Sequence, residues 1–121
     1  CVDSKANHKG GYILSGFDGY RSSFDQAHHL KHMKGCKIKK SSKTKIAKET
    51  NDAIINGYIM MVNTVVEKTY QDFSRKTKTK PMVIVTGSYG KEILSHSCLQ
   101  INYEPELVLK SIGIISDKLK I

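Results

Sequence analysis

One run of residues limits the fold class before any other feature is weighed. Pro81-Met82-Val83-Ile84-Val85-Thr86-Gly87 is a continuous apolar stretch of strand length, opened by a proline and closed by a glycine. A half-exposed strand alternates apolar with polar residues, whereas an unbroken run fits a strand covered on both faces, the habit of sheets layered between helices. The flanks agree. Before the run, Thr50-Asn51-Asp52 precede an apolar-periodic segment through Ala53, Ile54, Tyr58, Met61 and Val65 to Phe73, with Thr50 placed as N-cap. Its first half is apolar nearly all round (Ile54, Ile55, Ile59, Met60, Met61, Val62), which predicts a helix sandwiched between other elements, with Gly57 allowing close approach. After the run come a short helix over residues 90–97, a short strand over 98–102 and a final helix from Pro105, an N1-type proline, to about Leu119.

Towards the start, HKGGYILSGF at residues 8–17 sets an apolar triplet between glycines and predicts a short strand. Tyr20, Phe24, Ala27, Leu30 and Met33 then recur at helical spacing over residues 18–34, with Gly35 placed to stop the helix. The resulting order, strand, helix, helix, strand, helix, strand, helix, argues for an α/β layer fold in one domain.

At 121 residues, 39% hydrophobic and 26% charged, the composition is that of a globular chain and excludes collagenous and low-complexity classes. No apolar run reaches the roughly 18–20 residues of a membrane-spanning helix, and the first residues form no signal peptide, so a soluble cytoplasmic protein is expected. The formal charge of +9 points towards polyanions until its distribution is considered. Between Asp25 and Glu49 there is no acidic residue and there are eight lysines, from Lys31 to Lys48, while the rest of the chain carries twelve basic against eleven acidic residues. The excess therefore belongs to one loop at about residues 35–48 and not to a basic face. That stretch holds no aromatic residue on which bases could stack. A solvated loop and a nucleic-acid or acidic-partner contact through residues 31–48 are the two readings.

His28, His29, His32 and Cys36 lie in the same stretch, and helical spacing would bring three of them to one face. They match no paired-ligand zinc pattern and no second cluster exists elsewhere, so no metal site is assigned. Cys1, Cys36 and Cys98, odd in number and widely spaced, read as free thiols. Asp3, Asp18, Asp25 and Asp52 read as surface charges or caps.

Four segments, in order, resemble the C-terminal half of the type III pantothenate kinases, the bacterial family that includes the Bvg accessory factors. Residues 8–16, HKGGYILSG, are similar to the family's H-x-G-G-x-I-x-P-G, with Ser15 for the proline. Residues 49–57, ETNDAIING, resemble its T-x-x-A-I-x-x-G helix start, and residues 83–88, VIVTGS, its strand ending in T-G-G, with Ser88 for the second glycine. Residues 103–112, YEPELVLKSI, resemble its closing D-P-x-L-x-L-x-G-L, with Ser111 for glycine.

The resemblance implies a ribonuclease H-like, actin-type lobe, with a mixed sheet flanked by helices, of the acetate and sugar kinase, heat-shock 70 and actin superfamily. It implies transfer of the γ-phosphate of ATP to pantothenate, with Mg2+ accompanying ATP, a monovalent cation (K+ or NH4+), and a homodimer for which the apolar helix over 53–66 is a contact. The family's D-x-G-N-T phosphate loop, its G-x-D-R segment with the catalytic aspartate and its D-A-G-T-A segment have no counterpart in these residues. The expectation is therefore an incomplete second lobe, part of a longer chain, with no catalytic residue of its own. Thr50 would hydrogen-bond pantothenate or act only as a cap. Thr86 and Gly87 would end the strand beside the adenosine, where Ser88 and Tyr89 crowd the approach. Gly10 and Gly11 would shape a turn beside the phosphates or merely end a strand.

Overall fold

The computed structural model describes residues 1–25, 36–39 and 45–120. Among the described residues six elements follow one another: α1 (Phe17–Ser22), α2 (Thr50–Thr77), β1 (Val83–Val85), α3 (Gly90–Leu94), β2 (Ile101–Tyr103) and α4 (Leu107–Leu119). The fold is a small α/β domain. Among the described residues the sheet has two parallel strands, in register Val83 with Ile101, Ile84 with Asn102 and Val85 with Tyr103, where a mixed sheet was expected.

α2 is the spine. Its 28 residues span about 42 Å at the α-helical rise of about 1.5 Å per residue. The N-cap is Glu49, in extended conformation, whose carbonyl accepts from Ala53 N–H at 2.9 Å, so Thr50 is the first helical residue and not the cap. The helix also runs past Phe73, because Ser74, Arg75, Lys76 and Thr77 are compatible with helix and Thr77 Oγ1 bonds back to the Phe73 carbonyl. It stops where Lys78 turns left-handed at φ 55°.

The core gathers on one face of α2. Ile54, Ile55, Tyr58 and the fully buried Ile59 pack with Phe17 of α1, Cys36, Ile38, Val85 of β1, and Ile93 and Leu94 of α3. Met60, on the far side, is 59% exposed, so the helix is covered on one side among the described residues and not sandwiched as its composition predicts. β1 departs in the same way: Val85 is buried but Ile84 is 48% exposed, so the strand is not covered on both faces. Both surfaces are apolar beyond what the described residues cover.

The edges of the elements moved for local reasons. The N-terminal segment forms no strand over residues 8–17; it makes one antiparallel bridge, Val2 to His8, and then runs irregularly to α1. Asp3 holds that first loop, accepting from the backbone N–H groups of Lys5 and Asn7 at 2.9 Å each. α1 ends at Ser22, where Ser22 and Ser23 donate their hydroxyls back to Gly19 and Tyr20 carbonyls; residues 26–35, the rest of the expected helix and its Gly35 stop, lie outside the described residues. α3 closes at Leu94. β2 begins at Ile101, not at 98, because Ser97 Oγ and Cys98 N–H both donate to Glu67 Oε1 of α2 at 3.0 Å, which ties that stretch to the helix. Pro105 sits in the turn before α4, whose N-cap is Glu106, so it is not an N1 proline. None of the residues of α4 is buried. Among the described residues no helix is long and apolar enough to cross a membrane.

Candidate functional site

In parallel sheets ligands gather at the carboxyl ends of the strands, where the chain turns into the next helix. Here that turn is Thr86-Gly87-Ser88-Tyr89, between β1 and α3. Gly87 makes it possible with φ at 95°, a left-handed backbone that a side chain would strain. Both predicted residues are exposed and anchored from the β2 side: Thr86 Oγ1 donates to the Pro105 carbonyl at 3.4 Å, and Tyr103 Oη donates to the Gly87 carbonyl at 3.1 Å. Gly90, opening α3, lies so close to β1 that a Cβ there would sit 2.5 Å from Val85 Cγ1.

An aromatic cluster joins this turn to the start of α1. The ring of Tyr89 lies edge-on to Phe17 at 6.3 Å, Phe17 meets Tyr58 at 5.2 Å, and Tyr58 meets Tyr20 at 5.1 Å. Tyr58 Oη donates to the Ser15 carbonyl at 3.0 Å, which holds residues 15–17 over the first third of α2. Burial pushes the Tyr58 phenol above its ordinary value, so it stays protonated and remains a donor at neutral pH.

Thr50 stands at the N-terminus of α2, exposed, eight residues before Tyr58 and hence about 12 Å from it along the helix axis. The two ends of the lysine-rich stretch attach beside it. Cys36 Sγ points at the Asn51 carbonyl at 3.7 Å, and Asn56 Nδ2 donates to the Lys45 carbonyl at 2.8 Å. The Cys36 thiol is raised, chiefly by burial, with Arg21 opposing and Asp52 adding, which marks a packed cysteine and not a nucleophile. Lys31, Lys34, Lys40 and Lys43, and the three histidines His28, His29 and His32, lie outside the described residues. Among the described residues no three histidine, cysteine or carboxylate side chains converge as a metal site would require.

Gly10 and Gly11 are placed elsewhere. They line a cavity of about 260 Å³ with Lys9, Thr69, Asp72 and Lys76, towards the C-terminal end of α2. Gly11 also borders a second cavity of about 540 Å³ that reaches Pro81 and Met82, before β1, while Thr86 and Gly87 follow its other end. The five predicted residues thus fall into three places: Thr86 with Gly87 at the carboxyl end of β1, Thr50 at the head of α2, and Gly10 with Gly11 near its tail.

The chain is 27% identical, over 119 residues, to a type III pantothenate kinase of Cellvibrio japonicus (strain Ueda107). The match takes in 96% of this chain and 45% of the Cellvibrio kinase, so the chain spans less than half the length of that curated relative. No family model matches the chain, and no solved structure does.

Sequence reasoning reached Tyr58 only as part of the α2 periodicity and Tyr89 only as crowding the turn; that they join Phe17 in an aromatic floor has no local signal, because the three rings come from separate segments. Asn63 was passed over, and it left a trace: a polar residue on the apolar stripe of α2, about one helical turn after Ile59 and two after Ile55, buried and donating Nδ2 to the Ile59 carbonyl at 2.8 Å and the Ile93 carbonyl at 2.7 Å.

Proposed function

We propose that this chain is the C-terminal part of a type III pantothenate kinase, an actin-type lobe that transfers the γ-phosphate of ATP to pantothenate once the rest of the enzyme is in place. The observation that carries the reading is the similarity to the Cellvibrio kinase along 119 residues. The turn 86–89, at the carboxyl end of a parallel strand, is where such a lobe would meet a nucleotide. In this reading Thr86 and Gly87 border the adenosine and Thr50 donates a hydrogen bond to pantothenate. Gly10 and Gly11 turn the chain into the segment that reaches Tyr58. A second copy would pack on the exposed Met60 side of α2, making the homodimer.

Phosphoryl transfer asks the protein for positioning, charge neutralisation and a base on the acceptor hydroxyl. Among the described residues no three carboxylate, histidine or cysteine side chains converge to hold Mg2+, so neither Mg2+ nor the monovalent cation is given residues in this chain and no step is routed through them. The general base is likewise assigned to the part of the enzyme beyond these residues. The chain alone is therefore inactive. Incubated with ATP and pantothenate it should yield no phosphopantothenate by mass spectrometry, and a verified complex with the unmatched portion of the Cellvibrio kinase should yield it. Product from the chain alone would overturn the incomplete site; a complex that forms and makes no product would overturn the kinase reading.

A further inference from the structure

Residues 103–105 hold residues 85–87 bond by bond. Glu104 N–H donates to the Val85 carbonyl at 2.8 Å, Thr86 Oγ1 donates to the Pro105 carbonyl at 3.4 Å, and Tyr103 Oη donates to the Gly87 carbonyl at 3.1 Å. The last of these acts on the one residue of the turn with left-handed backbone. Tyr103 ends β2 in register with Val85, so its side chain leaves the sheet on the same face as Val85, the face against which Gly90 of α3 packs. From α3, Lys91 Nζ lies over the Tyr103 ring, 5.9 Å from its centre.

The bond to Gly87 decides where the next N–H points. A trans peptide directs its C=O and N–H to opposite sides, and no peptide bond among the described residues is cis. With the Gly87 carbonyl drawn to Tyr103 Oη, the Ser88 N–H faces away from Tyr103. It meets no acceptor among the described residues, and Ser88 is exposed. Gly87, at φ 95° and without a Cβ, lets its ψ range widely, while Ser88 stays outside the left-handed region and so limits the swing of the peptide between them without fixing it. The Tyr103 hydroxyl supplies the missing constraint.

We infer that Tyr103 is a positioning residue of the nucleotide site: its hydroxyl, acting through the Gly87 carbonyl, aims the Ser88 N–H at an oxygen of ATP. Tyr103 itself does not touch the nucleotide. An N–H aimed before the ligand arrives spares the ordering cost that a swinging peptide would add to binding. The inference rests on the proposed reading of the turn 86–89 as the place where the lobe meets a nucleotide.

The test titrates ATP into the isotope-labelled 121-residue chain and follows the Ser88 amide by nuclear magnetic resonance. In the parent chain ATP should move the Ser88 amide proton downfield, as an N–H that gains an acceptor does. Tyr103→Phe keeps the ring and its contact with Lys91 and removes only the hydroxyl. It should weaken ATP about threefold to tenfold and shrink the Ser88 shift at saturation. A tyrosine that served only to staple the strands would lower the urea midpoint and leave that saturation shift unchanged. Two results would overturn the proposal: a Ser88 amide in the parent chain that ATP does not move, which needs no variant to observe, or a Tyr103→Phe chain that binds ATP within about 1.5-fold of the parent with the same Ser88 shift. The kinase reading fails separately. A complex with the unmatched portion of the Cellvibrio kinase that makes no phosphopantothenate, although Tyr103→Phe weakens ATP, would leave Tyr103 its role and remove the reaction.

Discussion

Asn63→Ala should unfold the domain at lower denaturant, because of one carbonyl. Asn63 is buried in α2, and its Nδ2 donates to the Ile59 carbonyl at 2.8 Å and the Ile93 carbonyl at 2.7 Å. Both neighbours are acceptors, so the amide nitrogen, and not the oxygen, must face them. The two bonds differ in what they protect. Ile59 lies inside α2 and keeps its helical donor when the side chain is removed, whereas Ile93 lies in the last turn of α3, where carbonyls lack intrahelical partners. The next available N–H, from Ser97, is already given to the Leu94 carbonyl at 3.0 Å. Truncation would strand the Ile93 carbonyl in the core, a loss of about 1–3 kcal/mol. With a urea dependence of about 1–3 kcal/mol per molar for a small protein, the midpoint should fall by about 1 M. Asn63→Asp should be worse, since it buries a carboxylate against a carbonyl that needs a donor. The assay is urea unfolding followed by far-ultraviolet circular dichroism. A midpoint for Asn63→Ala within about 0.2 M of the parent, or an aspartate variant as stable as the parent, would refute the argument that this bond holds α3 to α2.

Two further outcomes follow from the same geometry. Gly90→Ala places a methyl 2.5 Å from Val85 Cγ1 and should cost about 1–3 kcal/mol by urea unfolding, with Val85→Ala in the same chain recovering part of the loss; an additive double variant would show that the contact is not made. Asp3 is held well below the usual carboxylate range, first by the Asn7 backbone N–H, then by the Asn7 side chain and Lys9, with burial opposing and the Lys5 N–H adding. A depressed carboxyl contributes stability that is complete above its unfolded value of about 3.9 and is lost as pH falls through its folded value. The first loop should therefore keep its structure well below pH 4, and a nuclear magnetic resonance titration of the Asp3 carboxyl with a midpoint near 3.9 would contradict the hydrogen-bonded loop.

The candidate site was legible in part. Thr86-Gly87 stands where the strand run and its closing glycine put it, because an apolar run followed by a residue at φ 95° can only end in a turn. The Gly10-Gly11 segment was expected to bound a strand, but a strand needs a neighbour, and no strand among the described residues lies beside it. Thr50 was expected to cap α2, yet Glu49 takes the extended conformation and leaves Thr50 inside the first turn. Cap position is a one-residue matter of backbone dihedrals, which periodicity does not resolve.

The sequence by itself determined a long helix from Thr50 to about Phe73, a strand within residues 81–87, a final helix ending near Leu119 and an α/β class of fold, since periodicity and glycine or proline boundaries act over a few residues. Only the tertiary structure decided which faces of those elements are covered, that the two strands run parallel, and that Phe17, Tyr58 and Tyr89 meet beside the turn at 86–89. The physical reason is range. A residue's preference for helix or strand is settled by its near neighbours, but burial depends on what arrives from far along the chain, which is why Val85 is buried while Ile84, beside it in the same apolar run, is 48% exposed.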